Sequence, residues 1–188
     1  MRKMETKELV FMAFYACLAL VLEYVNQFIP FLQMPQGGSI NVAIIPIFIA
    51  SYQLGVKKGI ITALLCWGLG FLMGFNAWFL NVPQYLLDYI IPVVVVGAAA
   101  VLPKLGKISN VYVGVVVAGI IRFASTVLSG VYYWFPEGET AGSAYAWTYS
   151  LGYNFYYNFA TLIVAIILVP ILINRLKATH VPFVGIKE

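Results

Sequence analysis

The sequence predicts an all-α membrane protein, a single bundle of six transmembrane helices with both termini cytoplasmic. Three observations carry that prediction. Of 188 residues, 62% are hydrophobic and only 10% are charged, against roughly a quarter charged in soluble domains. So few polar side chains cannot cover a soluble fold of this size, and lipid must cover much of the exterior. Second, six apolar segments approach the roughly 20 residues that a bilayer-spanning helix needs. They lie at about 8–33, 41–55, 58–75, 83–102, 111–134 and 147–173. Third, ten of the eleven basic residues fall in alternate connections between these segments or in the terminal stretches on the same side.

Each segment has its own boundary signals. The first is long and no small-residue cleavage site follows it, so it reads as a retained span and not as a cleaved signal peptide. The second is short and contains Pro46, which predicts a kinked or incompletely spanning helix. Turn-forming stretches separate the segments: Pro35-Gln36-Gly37-Gly38-Ser39, then 76–81, 103–110 and 136–143. No stretch is long enough for an interdomain linker, so residues 1–188 read as one domain. Arg2, Lys3 and Lys7 precede the first segment, and Lys57 and Lys58 separate the second from the third. Lys104 and Lys107 follow the fourth; Arg175, Lys177 and Lys187 follow the sixth. The other three connections carry no Lys or Arg, only Glu137 and Glu139. Basic residues accumulate on the cytoplasmic side, which places both termini there. The same distribution accounts for the net charge of +4 with no nucleic-acid partner.

Several chemistries are excluded by what is missing. No phosphate-cradling glycine-rich loop is present, so the chain alone cannot hydrolyse ATP. The single histidine, His180, falls in the C-terminal tail, and Cys17 and Cys66 lie inside apolar runs without metal-ligand spacing. No metal site, cofactor or catalytic residue is expected, and the chain is not read as an enzyme.

Ionisable groups in hydrocarbon are expensive and invite a functional reading. Three fall within the segments: Glu23, Asp88 and Arg122. Asp88 lies about six residues into the fourth segment, roughly 9 Å below its extracytoplasmic start at 1.5 Å per residue. Its neighbours are Gln84, Tyr85 and Tyr89, and a carboxylate among tyrosines at that depth suits a cationic or donor-rich ligand. The alternative is an ion pair within the bundle with Arg122. Arg122 itself is expected to tie helices together through Asp88, Glu23 or carbonyl groups, and Glu23 to reach the interface. Trp78, Trp134, Tyr145, Trp147 and Tyr149 gather in the extracytoplasmic half with Asn76, Asn81 and Asn154. Tyr149, Tyr153, Asn154 and Tyr157 partly share one helix face. Such residues form interfacial belts or, because aromatic faces stack on heterocycles and attract cations, a ligand pocket. In the first segment Ala13, Ala16 and Ala19 recur every three residues, a stripe that permits close approach within the bundle or to a partner membrane protein.

Four blocks carry a resemblance. MPQGGSINVAIIPIFIASYQLGVKKGI (Met34–Ile60), VPQYLLDYI (Val82–Ile90), IRFASTVLSGVYYW (Ile121–Trp134) and YSLGYN (Tyr149–Asn154) occur in order and in the expected segments. With them the chain resembles the substrate-binding S components of energy-coupling-factor vitamin transporters, of the thiamine-specific type. The resemblance implies a non-enzymatic, high-affinity vitamin-binding subunit in a bacterial plasma membrane. Its implied partners are a transmembrane subunit, met by the Ala13/Ala16/Ala19 stripe, and two ATPase subunits that energise transport. It implies that Asp88 faces the ligand's cation, followed by Tyr89, and that Trp134 stacks on the aminopyrimidine. Tyr149 and Asn154 match polar contacts to that ring; Gln84, Tyr85 and Trp147 are candidate site residues from the clustering above and not from the resemblance. The loop containing Gln36, Gly37 and Gly38 is the implied lid. One position departs: Thr126 stands where the family usually has a histidine that completes the stack. A pocket with one aromatic wall removed also fits a smaller ring, pyridoxine or hydroxymethylpyrimidine.

Overall fold

Six helices follow one another through the computed structural model, which describes residues 5–75 and 77–187. Arg2, Lys3 and Asn76 lie outside the described residues. The helices are α1 (Thr6–Gln27), α2 (Ile44–Leu54), α3 (Val56–Leu72), α4 (Val82–Gly97), α5 (Asn110–Tyr133) and α6 (Ala144–Ala178). No strand beyond isolated bridges occurs among the described residues.

Local chemistry sets the ends. Glu5 and Glu8 form a reciprocal capping box at the start of α1. Ser109 and Ser143 cap α5 and α6, accepting bonds from the N–H groups of Val111 (3.2 Å) and Ala146 (3.0 Å). The first segment was expected to run to residue 33, but α1 stops at Gln27 and Pro30 opens a separate 3₁₀ turn, Pro30–Leu32. The fourth stops at Gly97, and Ala99–Val101 form another such turn.

The helices do not contribute equally to a lipid-facing exterior. By length and apolarity α1, α5 and α6 each suffice to cross a membrane. Helix α2 is only 11 residues long and every one of them is buried, so it is a central element wrapped by its neighbours. At about 16 Å it is incompletely spanning. Pro46 does not kink it. It lies in the first turn, where a backbone N–H has no intrahelical partner to lose. A single residue, Gly55, joins α2 to α3.

Two small-residue contacts draw the bundle together. A Cβ on Gly59 of α3 would lie 2.3 Å from the carbonyl oxygen of Gly97 of α4, and one on Gly97 would lie 2.6 Å from that of Gly59. Only glycine permits the two backbones to meet this closely. On α1, Ala16 and Ala19 are 1% and 0% exposed, against a bundle in which α1 packs on α2 and α3. Of the expected stripe, Ala16 and Ala19 pack inside the bundle and Ala13 is exposed.

The two ends differ chemically. At one, Gly185 of the C-terminal segment donates to the carbonyl of Tyr52 (2.8 Å) and accepts from Asn110 Nδ2 (2.8 Å). The Tyr52 hydroxyl donates to the Asn110 carbonyl (3.1 Å), and Lys58 pairs with Glu8. The described basic loop residues collect there. At the other end lie the 34–39 loop, the start of α4, the end of α5 and the start of α6.

Candidate ligand site

The site begins with a defect in α4. Pro92 has no N–H to offer the carbonyl of Asp88, four residues earlier, and its ring crowds that carbonyl. The helix responds with a π turn over Leu86–Ile90, in which the N–H of Ile91 bonds to Leu86, five residues back. That shift leaves the Leu87 carbonyl without its helical donor, and Ser125 Oγ from α5 donates to it at 2.6 Å. The widened turn carries Asp88 and Tyr89, and Ser125 fastens it to α5.

The Asp88 carboxylate is held from two sides. Trp134 Nε1, at the end of α5, donates to Asp88 Oδ2 at 2.8 Å. Gln84 Nε2 donates to the same oxygen at 2.6 Å. Gln84 is fully buried and fixed in turn: its Oε1 accepts from Leu80 N–H (3.0 Å), and its own N–H is capped by Asn81 Oδ1 (2.9 Å). Both donors thus converge on Oδ2, and neither engages Oδ1. The ion pair with Arg122 that the sequence left open does not form. Trp78 packs edge-on against Trp134, ring centres 6.4 Å apart at 82°, and Trp134 as a residue remains 39% exposed.

A second wall comes from α6. Tyr149, Tyr153 and Tyr157 lie one turn apart and meet the 34–39 loop in order. The Tyr149 hydroxyl bonds Gln36 Oε1. The Tyr153 hydroxyl donates to the Gly37 carbonyl (2.9 Å) and accepts from the Gln36 N–H (2.8 Å). The Tyr157 ring lies under Gly38, where a Cβ would come within 2.9 Å of it. Gly37 and Gly38 have φ of +93° and +89°, a region that disfavours other residues. Below them, Tyr157 donates to Asn154 Oδ1, Asn154 Nδ2 bonds the Ser150 carbonyl (2.9 Å), and Asn158 Nδ2 donates to Thr126 Oγ1 (3.1 Å).

Three expected site residues stand elsewhere. Tyr85 is buried in an aromatic cluster with Trp67, Phe71 and Phe79. Its ring also meets Tyr89, 4.8 Å between centres. Tyr89 lines another cavity, of about 110 Å³, with Glu23, Asn41, Trp67 and Arg122 among its walls. The indole of Trp147 is partly exposed and makes no ring contact or hydrogen bond among the described residues. Glu23 does not reach for the interface; its Oε2 accepts from Asn41 Nδ2 at 2.9 Å inside that cavity. Arg122 shares the cavity without coming within salt-bridge distance of Glu23.

Comparison with known proteins shows the family. Residues 9–181 match the family described as thiamine transporter protein (Thia_YuaJ). The chain belongs to the thiamine transporter family. It is 34% identical over 157 residues to the thiamine transporter ThiT of Bacillus subtilis (strain 168), covering 76% of this chain and 78% of that one. The fold is similar to that of a solved ThiT from Listeria monocytogenes, with a TM-score of 0.69 over 93% of this chain and 97% of the other, at 20% identity. The family is one of transporters, not enzymes.

In this thiamine-transporter family member, sequence reasoning passed over Ser125 and Asn158 and left Trp78, Tyr153 and Tyr157 as members of a cluster or a face. The four-residue spacing of the tyrosines was the available signal for their common wall. Nothing in the sequence pointed to Ser125, whose role depends on a helix defect in a different segment.

Proposed function

We propose that this protein is the thiamine-binding S component of an energy-coupling-factor uptake transporter in a bacterial plasma membrane. A separate module of one transmembrane subunit and two ATPases supplies the energy. Both termini face the cytoplasm, and the end bearing the 34–39 loop faces outward. The observation that carries the reading is the Asp88 carboxylate, held by Trp134 and Gln84 through one oxygen, with the partly exposed Trp134 side chain beside it. A thiazolium-type cation gains from the carboxylate, and an aromatic heterocycle gains from the indole.

In this reading Asp88, Trp134, Tyr149, Asn154 and Thr126 bind the ligand, Gln84 orients Asp88, and Tyr89 backs the site from the neighbouring cavity. The loop at Gln36, Gly37 and Gly38 closes over the site through its tyrosine contacts. Tyr85 and Trp147 shape the surroundings, and Ala13 is the residue of the alanine stripe left for the transmembrane subunit.

Intrinsic tryptophan fluorescence of the detergent-purified protein tests this, titrated in parallel with thiamine, pyridoxine and hydroxymethylpyrimidine. Saturable quenching by thiamine at low concentration is expected. Silence towards thiamine with a response to a smaller ring would transfer the role to that vitamin and make Thr126 the cause.

A further inference from the structure

The protons on the polar wall between α5 and α6 are already committed within the protein. Thr126 Oγ1 gives its proton to the Phe123 carbonyl (3.0 Å) and receives one from Asn158 Nδ2 (3.1 Å). The second bond from Asn158 Nδ2 goes to the Asn154 carbonyl (3.0 Å). Asn154 Nδ2 bonds the carbonyl and Oγ of Ser150 (2.9 and 3.1 Å), and Tyr157 gives its proton to Asn154 Oδ1. At the same end of the bundle, the indole N–H of Trp134 and the amide of Gln84 are engaged by Asp88 Oδ2.

The two amides cannot turn over to release a donor. Asn158 Nδ2 and Asn154 Nδ2 each face a backbone carbonyl, which only accepts. A flip would set oxygen against oxygen at about 3 Å. What remains free on this wall is therefore lone pairs: Asp88 Oδ1, one on Thr126 Oγ1, one on Asn154 Oδ1 and those of Asn158 Oδ1, which has no partner among the described residues. Tyr89 and Ser129 keep uncommitted hydroxyls and Arg122 an uncommitted Nε–H, but Tyr89 and Arg122 line the other cavity and Ser129 is fully buried.

We propose that this donor-saturated wall selects an amino-substituted cationic heterocycle over its oxo counterpart, and that Asn158 is the positioning residue that sets the polarity. The inference rests on the thiamine-binding reading above and goes beyond it to the hydrogen-bond sense of the site. An exocyclic amine brings N–H groups to unfilled lone pairs. A carbonyl at the same position brings lone pairs to lone pairs, and no wall proton can turn to meet it without abandoning a protein acceptor. Asn158 acts through Thr126. By donating to that hydroxyl it strengthens the bond Thr126 makes to Phe123 and leaves the ligand only an acceptor.

The test is a fluorescence titration of the full chain with thiamine and with its 4-oxo analogue, for the unaltered protein and for Thr126→Val and Asn158→Leu. The unaltered protein is expected to favour thiamine by roughly 10- to 100-fold, the range of one unmet buried polar group. Thr126→Val keeps the shape and removes the acceptor, so thiamine weakens, the 4-oxo analogue does not, and the ratio contracts. Asn158→Leu contracts the ratio too, a change that a loss of stability alone does not produce. Equal affinity of the unaltered protein for both compounds overturns the proposal and leaves the thiamine reading standing; absence of thiamine binding overturns both. An unchanged ratio in Asn158→Leu removes Asn158 from the account. Should that variant fail to fold, Thr126→Val still decides the polarity.

Discussion

Replacing Asp88 by Asn keeps the size of the side chain and removes its charge, and the hydrogen bonds around it make the consequence calculable. Trp134 Nε1 and Gln84 Nε2 both point at Oδ2. In the variant the amide oxygen must take that place, because an NH₂ there would face two donors. The NH₂ then occupies the position of Oδ1, turned towards the ligand. A cationic ligand loses an attraction and meets a donor. Two unit charges at 4 Å interact by about 4 kcal/mol at an effective dielectric constant of 20. Asp88 is half-buried, so solvent screens part of this, and a loss of about 2–3 kcal/mol is expected, in line with hydrogen bonds to charged groups. That is roughly a 30- to 150-fold rise in Kd for thiamine. Pyridoxine, which carries no permanent charge, should change much less in the same variant. Titration calorimetry of both ligands against both proteins measures the difference. An equal loss for the two ligands would refute the charge argument and leave Asp88 a structural anchor for Trp134 and Gln84.

Trp134→Ala removes a stacking face and should cost about 1–3 kcal/mol of thiamine affinity by analogy with base–aromatic stacking; unchanged affinity by calorimetry would place Trp134 in the interfacial belt. Gly38→Ala puts a Cβ 2.9 Å from the Tyr157 ring at a φ of +89°, a strain of about 1–3 kcal/mol. Its loop should disengage from α6 and release ligand faster in stopped-flow fluorescence, and an unaltered release rate would show that the loop does not close the site. Ser125→Ala strips the Leu87 carbonyl of the donor that the π turn obliges it to find. A stability loss of about 1–3 kcal/mol should appear in thermal unfolding in detergent, and an unshifted transition would mean another donor serves that carbonyl.

The sequence by itself determined that this chain is an apolar helical bundle, because composition and segment length are local properties that lipid solvation reads directly. The sorting of charge was equally legible: Lys58, Lys104, Lys107 and Lys177 lie in connections or flanks whose side is counted along the chain. Asp88, Trp134, Tyr149, Asn154 and Thr126 could be named because each is an unusual residue for its depth or stands in a recognisable block.

Which of these residues meet was decided only by tertiary structure. Ala16 and Ala19 pack inside the bundle while Ala13 is exposed, since a stripe of small residues does not state which surface it closes against. Tyr85 turned to the α3 aromatics while Trp134 took Asp88, because a π turn shifts the register of α4 at that point. Pro92 was visible as a helix breaker, yet the partner of the orphaned Leu87 carbonyl came from α5, 38 residues away. Arg122 and Glu23 stand at one cavity without pairing, a matter of backbone spacing. Hydrogen-bond polarity at Thr126 depends on Asn158 and Asn154, two positions on another helix. Sequence order carries side-chain chemistry and period; the pairing of donors with acceptors across helices is a property of packing, and it exists only once the bundle has formed.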